Sequence, residues 1–184
     1  ITDFKFEEGQ LGTMRVKAAY NDEEGQINID GNAEDGHSNL LVKGNISPTR
    51  NTIDLGMELQ DTRLEFMQSF CGSFMHDIAM NGTGHLRLHG PLNAINLEGE
   101  VEAGGAFTLT STNCQYTMEK GAITFVPNDI RFNTVPITDK SGGVAYLTGG
   151  VHHRNLGRIS YDITAKTKRF IAYDRPIPDA EDTF

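Results

Sequence analysis

The chain has 184 residues, with 25 acidic and 16 basic side chains and a formal net charge of -9 at pH 7. This charge argues against nucleic acid as the partner, because proteins that bind phosphate backbones present basic stripes, and against charge-driven binding to membrane surfaces. A chain of this length buries roughly 70% of its unfolded surface on folding, and it is compatible with one elongated domain or a compact pair of domains.

The first sixty residues predict a series of short strands joined by turns. Apolar and polar residues alternate through three segments, each followed by an acidic or glycine-containing turn, as half-buried strands require. The most regular alternation then places Ile53, Leu55, Met57 and Leu59 opposite Asp54, Gly56, Glu58 and Gln60. Successive side chains of a strand point to opposite sides of a sheet. One face of this strand is therefore apolar and has to be covered.

A change of period follows, which predicts one short helix over residues 62–71. Its apolar residues recur every three to four positions, at Leu64, Met67, Phe70 and Cys71. Gly72 is a plausible end for this helix. An amphipathic helix of this length is marginal alone, so we expect it to pack on a sheet face or to cap an open end.

The alternation resumes in the centre of the chain and continues to its last quarter. Leu86 and Leu88 point to one side of a predicted strand, while His85, Arg87 and His89 point to the other. Further strands are predicted at 106–110, 115–119, 122–126, 129–133, 144–147 and 160–165, with turns at 120–121, 127–128 and 141–143. This rhythm is typical of an all-β domain, and nothing in it suggests alternating strands and long helices.

Motifs for catalysis are missing from the sequence. It contains no nucleophile elbow, phosphate-binding loop, paired-histidine zinc motif or calcium loop, so we expect no enzyme activity, metal or cofactor. The adjacent His152 and His153 point to opposite faces of a strand, which disfavours a shared metal. Cys71 and Cys114 have neither metal-type nor redox-type spacing. Two free thiols are favoured, and a structural disulfide remains the alternative.

The order of glycine-punctuated strands resembles the TamB family, the inner-membrane-anchored component of the bacterial translocation and assembly module, which is related to AsmA-like proteins. The resemblance covers about residues 40–172 and is carried by LRLHGPLNAINLEGEV, GGAFTLTSTNCQYTMEKGAITFVPNDIRF, ITDKSGGVAYLTGGVHH and ISYDITAKTKRF. These are patterns of glycine and apolar residues rather than catalytic groups. Acidic turns paired with Tyr20, Tyr116 and Tyr161 are similar to Bacteroides-type versions.

The domain organisation is expected to follow from this resemblance. The chain begins at Ile1 without methionine, and we expect residues 1–172 to be a single elongated β domain excised from a longer protein. An acidic, proline-containing tail over 173–184 is interpreted as a linker or as the start of the next repeat.

The resemblance implies an elongated, curled β-sheet, a taco-like or solenoid-like open trough with an apolar interior. It implies a periplasmic segment of an inner-membrane-anchored protein in a Gram-negative bacterium, linked through the parent protein to an outer-membrane partner of the Omp85 class, similar to TamA. The implied function is phospholipid transport between the membranes, assembly of outer-membrane β-barrel proteins, or both. The alternating apolar face favours phospholipid as the cargo, and an exposed apolar face also predicts possible self-association.

Two interpretations of the apolar face remain open. In the first it lines a groove that contacts lipid or client, and in the second it is a closed hydrophobic core. A structural or adhesive β-sandwich module of a surface protein is the alternative function. The predicted groove residues are Ile53, Leu55, Met57, Leu59, Leu86, Leu88, Phe107, Leu109, Met118, Ile123, Phe125, Phe132 and Ile163.

Overall fold

The computed structural model describes residues 4–6, 9–65, 68, 75–154 and 157–173. The strands of these ranges are β1 (Phe4–Phe6), β2 (Gly9–Asn21), β3 (Gln26–Asp35), β4 (Ser38–Ser47), β5 (Thr52–Arg63), β6 (Met75–Pro91), β7 (Asn96–Leu109), β8 (Cys114–Val126), β9 (Asp129–Asp139), β10 (Val144–Arg154) and β11 (Gly157–Thr167). The fold is all-β, as the alternation predicts. No helix within the described ranges has the length and apolar character needed to cross a membrane.

Every strand pairs antiparallel with the next one along the chain, so the sheet is a meander in sequence order. Strands β2 to β11 form its ten-stranded body, and β1 pairs only with the beginning of β2. Short turns make this order possible. Asn21 Oδ1 accepts hydrogen bonds from the backbone N–H groups of Glu23 (3.1 Å) and Glu24 (3.3 Å), which fixes the β2–β3 turn. Asn128 supplies the positive φ of 62° between β8 and β9.

The sheet is open, with β2 and β11 at opposite ends of its body and no pairing between them in the described part. It is neither closed nor strongly curled, so the strong curl expected from the resemblance is absent from this structure. The physical reason lies in how the centre of the sheet is covered. Other parts of the chain, including residues 170 and 171, pack on its apolar side chains, and burial there does not depend on curling.

Two local predictions need correction. Thr62 and Arg63 are the last residues of β5 rather than the start of a helix, and residues 66–67 and 69–71 of the predicted helix lie outside the described residues. The predicted turn at 120–121 is wrong as well. Strand β8 runs through it, and its register with β7 shifts between Ala103 and Gly105. An irregularity of this kind adds a residue without ending the strand.

The hydrophobic core lies against one face of β5 to β10. Its buried members are Leu59, Ile78, Met80, Val101, Ala103, Phe107, Cys114, Tyr116, Met118, Phe125, Val135, Ile137 and Ala145. Leu64 begins the β5–β6 connection and turns back onto this face, because its backbone N–H donates to Met80 O at 2.9 Å. Its side chain occupies the space above Gly82, where a Cβ atom would approach Leu64 to 3.0 Å.

Candidate functional site

Two rows of cross-strand partners define an apolar face that runs the full width of the sheet. Residues directly opposite each other on neighbouring strands share a face. One row, from β2 to β11, is Val16, Gly31, Val42, Met57, Leu86, Gly99, Phe125, Ile130, Val151 and Tyr161. The neighbouring row is Met14, Ala33, Leu40, Leu59, Gly84, Val101, Ile123, Phe132, Gly149 and Ile163. At 4.7 to 4.9 Å between strands, each row is about 43 Å long.

The predicted groove residues all lie on this apolar face, since the register connects each of them to one of its rows or to a neighbouring row. They differ in exposure. Leu59, Phe107, Met118 and Phe125 are buried members of the core, and Ile163 is 42% exposed. The others are half-buried: Ile53, Leu55, Met57, Leu86, Leu88, Leu109, Ile123 and Phe132. The face therefore combines a packed centre with accessible side chains around it.

The two flanks of the apolar face are accessible to solvent. On β2, Val16 is 51% and Tyr20 is 58% exposed, and on β11, Tyr161 and Ile163 are 68% and 42% exposed. These side chains project from the same face as the buried core. A soluble protein rarely leaves a large contiguous apolar surface uncovered without an interaction that uses it. The exposed flanks, rather than the buried centre, are where a ligand can bind without rearrangement of the core.

A segment formed by residues 168–173, here named the strap, follows β11 and crosses the apolar face toward β8. The Phe170 ring stacks on the Tyr116 ring with a centroid separation of 4.8 Å and an interplanar angle of 15°. The Tyr116 hydroxyl donates to Ile171 O at 2.9 Å, and burial is the main cause that raises the pKa of this hydroxyl. Phe170 and Ile171 are half-buried against the core. The strap is thus the cover over one end of β8.

Asp139, at the end of β9, fixes both the strap and the following turn. Its Oδ2 accepts the Ile171 N–H at 2.6 Å, and its Oδ1 accepts the N–H of Ser141 at 2.7 Å and that of Gly143 at 2.9 Å. Burial would raise the pKa of this carboxyl group, but the hydrogen bonds from Ile171, Ser141 and Gly143 prevail and lower it to about 2. The carboxylate is therefore charged at neutral pH and holds the strap through a charge-assisted hydrogen bond.

The opposite face is polar and solvated. Arg87 makes a bidentate pair with Asp54, with N–O distances of 2.8 and 2.7 Å, and its hydrogen bond lowers the pKa of Asp54. His89 Nε2 lies 3.3 Å from Glu98 Oε2, and His85 is exposed. One row of this face reads Lys17, Asp30, Lys43, Gly56, Arg87 and Glu98. Alternating charges of this kind form a solvated surface rather than a binding pocket.

The chemistry expected for a metal or redox site is not found in the described residues. They contain no group of three or more His, Cys, Asp or Glu side chains placed to hold a metal ion. Cys114 is a buried free thiol, and Cys71 lies outside the described residues.

Three residues of the site were not foreseen from the sequence as part of it. Phe170, Ile171 and Asp139 were not assigned to the face, although Asp139 lies two residues before the turn predicted at 141–143. The turn is present, with Asp139 N–H donating to Gly143 O at 2.9 Å. The strap contact joins residues far apart in the chain, and local alternation carries no signal for it.

No protein-family model, curated protein sequence or solved structure matches this chain.

Proposed function

We propose that this chain binds the acyl chains of phospholipids on its apolar face, as a periplasmic segment of a TamB-like translocation and assembly protein that moves phospholipid between the inner and outer membranes. The observation that supports this proposal is the pair of apolar rows that cross all ten strands of the sheet body. A ligand that is itself long and apolar matches such a surface better than a compact polar metabolite does.

The energy available from such a face is sufficient for transport. Burial of a methylene group is worth about 0.8 kcal/mol, so covering ten methylenes of one acyl chain gives about 8 kcal/mol. Apart from Gly84 and Gly99, the half-buried residues along the rows carry apolar side chains that repeat from strand to strand, so no single position dominates the interaction. An acyl chain can therefore move along the rows without first leaving a deep site.

A second candidate function, assembly of outer-membrane β-barrel proteins, is favoured by a different observation. Strand β11 is at the end of the sheet, and no strand of the described part pairs with its outer edge. An unpaired edge can accept an additional strand from a client by β-augmentation. An adhesive β-sandwich has less support, because a sandwich requires two packed sheets and the described strands all belong to one.

Site-specific photo-crosslinking tests the proposal. Leu88 lies on the apolar face and Arg87, its neighbour in β6, lies on the polar face. A photo-crosslinker at position 88 is expected to capture phospholipid from mixed vesicles, and one at position 87 is expected not to. Capture of β-barrel precursors alone at position 88 would favour the second candidate. Equal lipid capture at both positions, or none at either, would contradict a face-specific lipid site.

Charge insertion into the apolar face gives a second test. Leu109→Arg is expected to reduce lipid binding, with Gln115→Arg, an exposed site on β8, as the control. Circular dichroism shows whether each variant is folded. Since Leu109 packs against the core, this variant would fail to fold if the face were only a closed core at that position. Ile163→Arg keeps the test decisive, because Ile163 is 42% exposed and its replacement leaves the core untouched.

A further inference from the structure

The outer edge of β11 has the properties of a strand-pairing surface. Strand β11 is the terminal strand of the meander and contains 11 residues. Every residue from position 160 to position 167 is exposed, and no strand of the described part pairs with its outer side. Natural proteins usually protect such an edge with proline, with charged side chains that have no partner across the edge, or with a covering segment, so the charges of β11 decide which strand can pair with it. The strap runs from the end of β11 over the apolar face, where it contacts β8 and β9. None of these contacts lies along the outer edge of β11.

The side chains of β11 are arranged in a self-complementary order. Tyr161, Ile163 and Ala165 belong to the apolar face, because their partners on β10 are Val151, Gly149 and Leu147. Asp162, Thr164 and Lys166 alternate with them and belong to the polar face. Asp162 and Lys166 are placed symmetrically about Thr164, and neither makes an ion pair with another described residue.

We propose that two copies of this chain pair through β11 as a symmetric, antiparallel dimer centred on Thr164. In this register Asp162 of each copy faces Lys166 of the other, which gives two equivalent ion pairs, and Thr164 faces Thr164. On the apolar face Ile163 faces Ala165 in the second copy. Opposite-charge and Thr–Thr pairs directly across strands are stabilising. In this register the two residues of each facing pair lie on the same face of the sheet, so the apolar side chains of both copies stay on the apolar face.

The other end strand, β2, is less suited than β11 to form a two-fold pair with a second copy. Over residues 13–21, the polar side of β2 carries Arg15 and Lys17 and no acidic residue, so pairing of β2 with itself forms no ion pair between directly opposed side chains. The beginning of β2 is also occupied by β1. Pairing of β11 with β2 of another copy is head-to-tail and does not close. It forms at most one ion pair, between Asp162 and a basic residue of β2 such as Lys17. The β11 pair is closed and isologous, which is the commonest symmetry of soluble oligomers.

Charge reversal and its rescue test the dimer directly. Sedimentation velocity of the full 184-residue chain is expected to show a monomer–dimer equilibrium that depends on protein concentration. D162K and K166D, made separately, place like charges opposite each other twice per dimer and are expected to raise the dissociation constant about tenfold or more. The double variant D162K/K166D restores both ion pairs in exchanged form and is expected to restore the dimer. K17D, a charge reversal on the β2 edge, is expected to leave the dimer unchanged.

Each other outcome overturns the symmetric dimer. Loss of association in K17D, with recovery in D162K/K17D, would assign the contact to head-to-tail pairing of β11 with β2. Failure of D162K/K166D to recover, while circular dichroism shows that it is folded, would exclude this register. A chain that stays monomeric at every concentration and pairs its β11 edge only with an added β-strand peptide would show that the edge is a client site.

Discussion

Replacing Phe170 by alanine tests whether the strap opens independently of the sheet. Phe170 stacks on Tyr116 at 4.8 Å and is half-buried against the core. An aromatic pair of this kind contributes about 0.5 to 1.5 kcal/mol beyond its burial. Full burial of a phenylalanine is worth about 1.5 to 3 kcal/mol, so a half-buried ring contributes about 1 kcal/mol. We therefore expect Phe170→Ala to lower the free energy of strap opening by about 2 kcal/mol.

Native-state amide hydrogen exchange measures this opening. The Ile171 N–H is held by Asp139 Oδ2 at 2.6 Å and exchanges only when the strap leaves the sheet. Since 1.4 kcal/mol corresponds to a factor of ten, the loss of about 2 kcal/mol makes Ile171 exchange about 30-fold faster. The amide of Ile137, within β9, is expected to keep its protection. Tyr173→Ala serves as the control, because Tyr173 is 62% exposed and its removal takes away no core contact.

Two results would refute this reasoning. Equal acceleration of Ile171 and Ile137 would mean that the strap and β9 open as one cooperative unit. Unchanged exchange at Ile171 would mean that the Phe170–Tyr116 stack does not hold the strap in solution.

Three further changes have definite expected outcomes. Asp139→Asn is expected to speed exchange of the Ile171 amide at neutral pH. Because the pKa of Asp139 is lowered to about 2, the difference in exchange rate from the unmodified chain persists down to about pH 4 and disappears as the pH falls through 2. Gly99→Ala is expected to lower the free energy of unfolding by about 2 to 5 kcal/mol in urea, since φ is +136° and a Cβ would overlap the carbonyl oxygen of a neighbouring strand. Gly56→Ala is the control, because the nearest atom to its added Cβ lies at 3.7 Å, and it should be neutral or slightly stabilising. Arg87→Ala is expected to lower the free energy of unfolding in urea by no more than about 1 kcal/mol, because exposed ion pairs contribute little.

Alternation in the sequence was sufficient to assign the faces of the sheet. Leu55, Leu88 and Ile163 were predicted to share one face, and the register places them on one face. The prediction is simple because successive side chains of a strand point to only two sides of the sheet. The assignment also holds across β8, where Met118 and Ile123 differ in parity. The sequence predicted a turn between them, whereas the structure has a register shift in a continuous strand. A turn and a bulge both change the phase, so the face was predicted correctly although the element was not.

What covers the sheet could not be predicted in the same way. Alternation is a local property, and the strap depends on contacts between Asp139 and Ile171, 32 residues apart. Nor does periodicity distinguish the end of β5 from a helix, since Thr62 and Arg63 continue the strand after the irregularity at Asp61, where φ is 47°. The degree of curl belongs to the same class of property. It depends on which segments fold back over the apolar face, and no single strand encodes it.

A single-layer sheet makes the apolar face and the β11 edge depend on the same strand. Tyr161 and Ile163 are exposed on the flank of the apolar face. Asp162 and Lys166 lie on the opposite face of the same strand. Pairing through β11 would therefore join two apolar faces side by side and extend each row into the second copy, without covering the face itself. The strap lies over β8 and β9, away from that junction. A dimer of this kind thus adds continuous apolar surface at the exposed flank, where binding of an acyl chain, as proposed, would not displace Phe170.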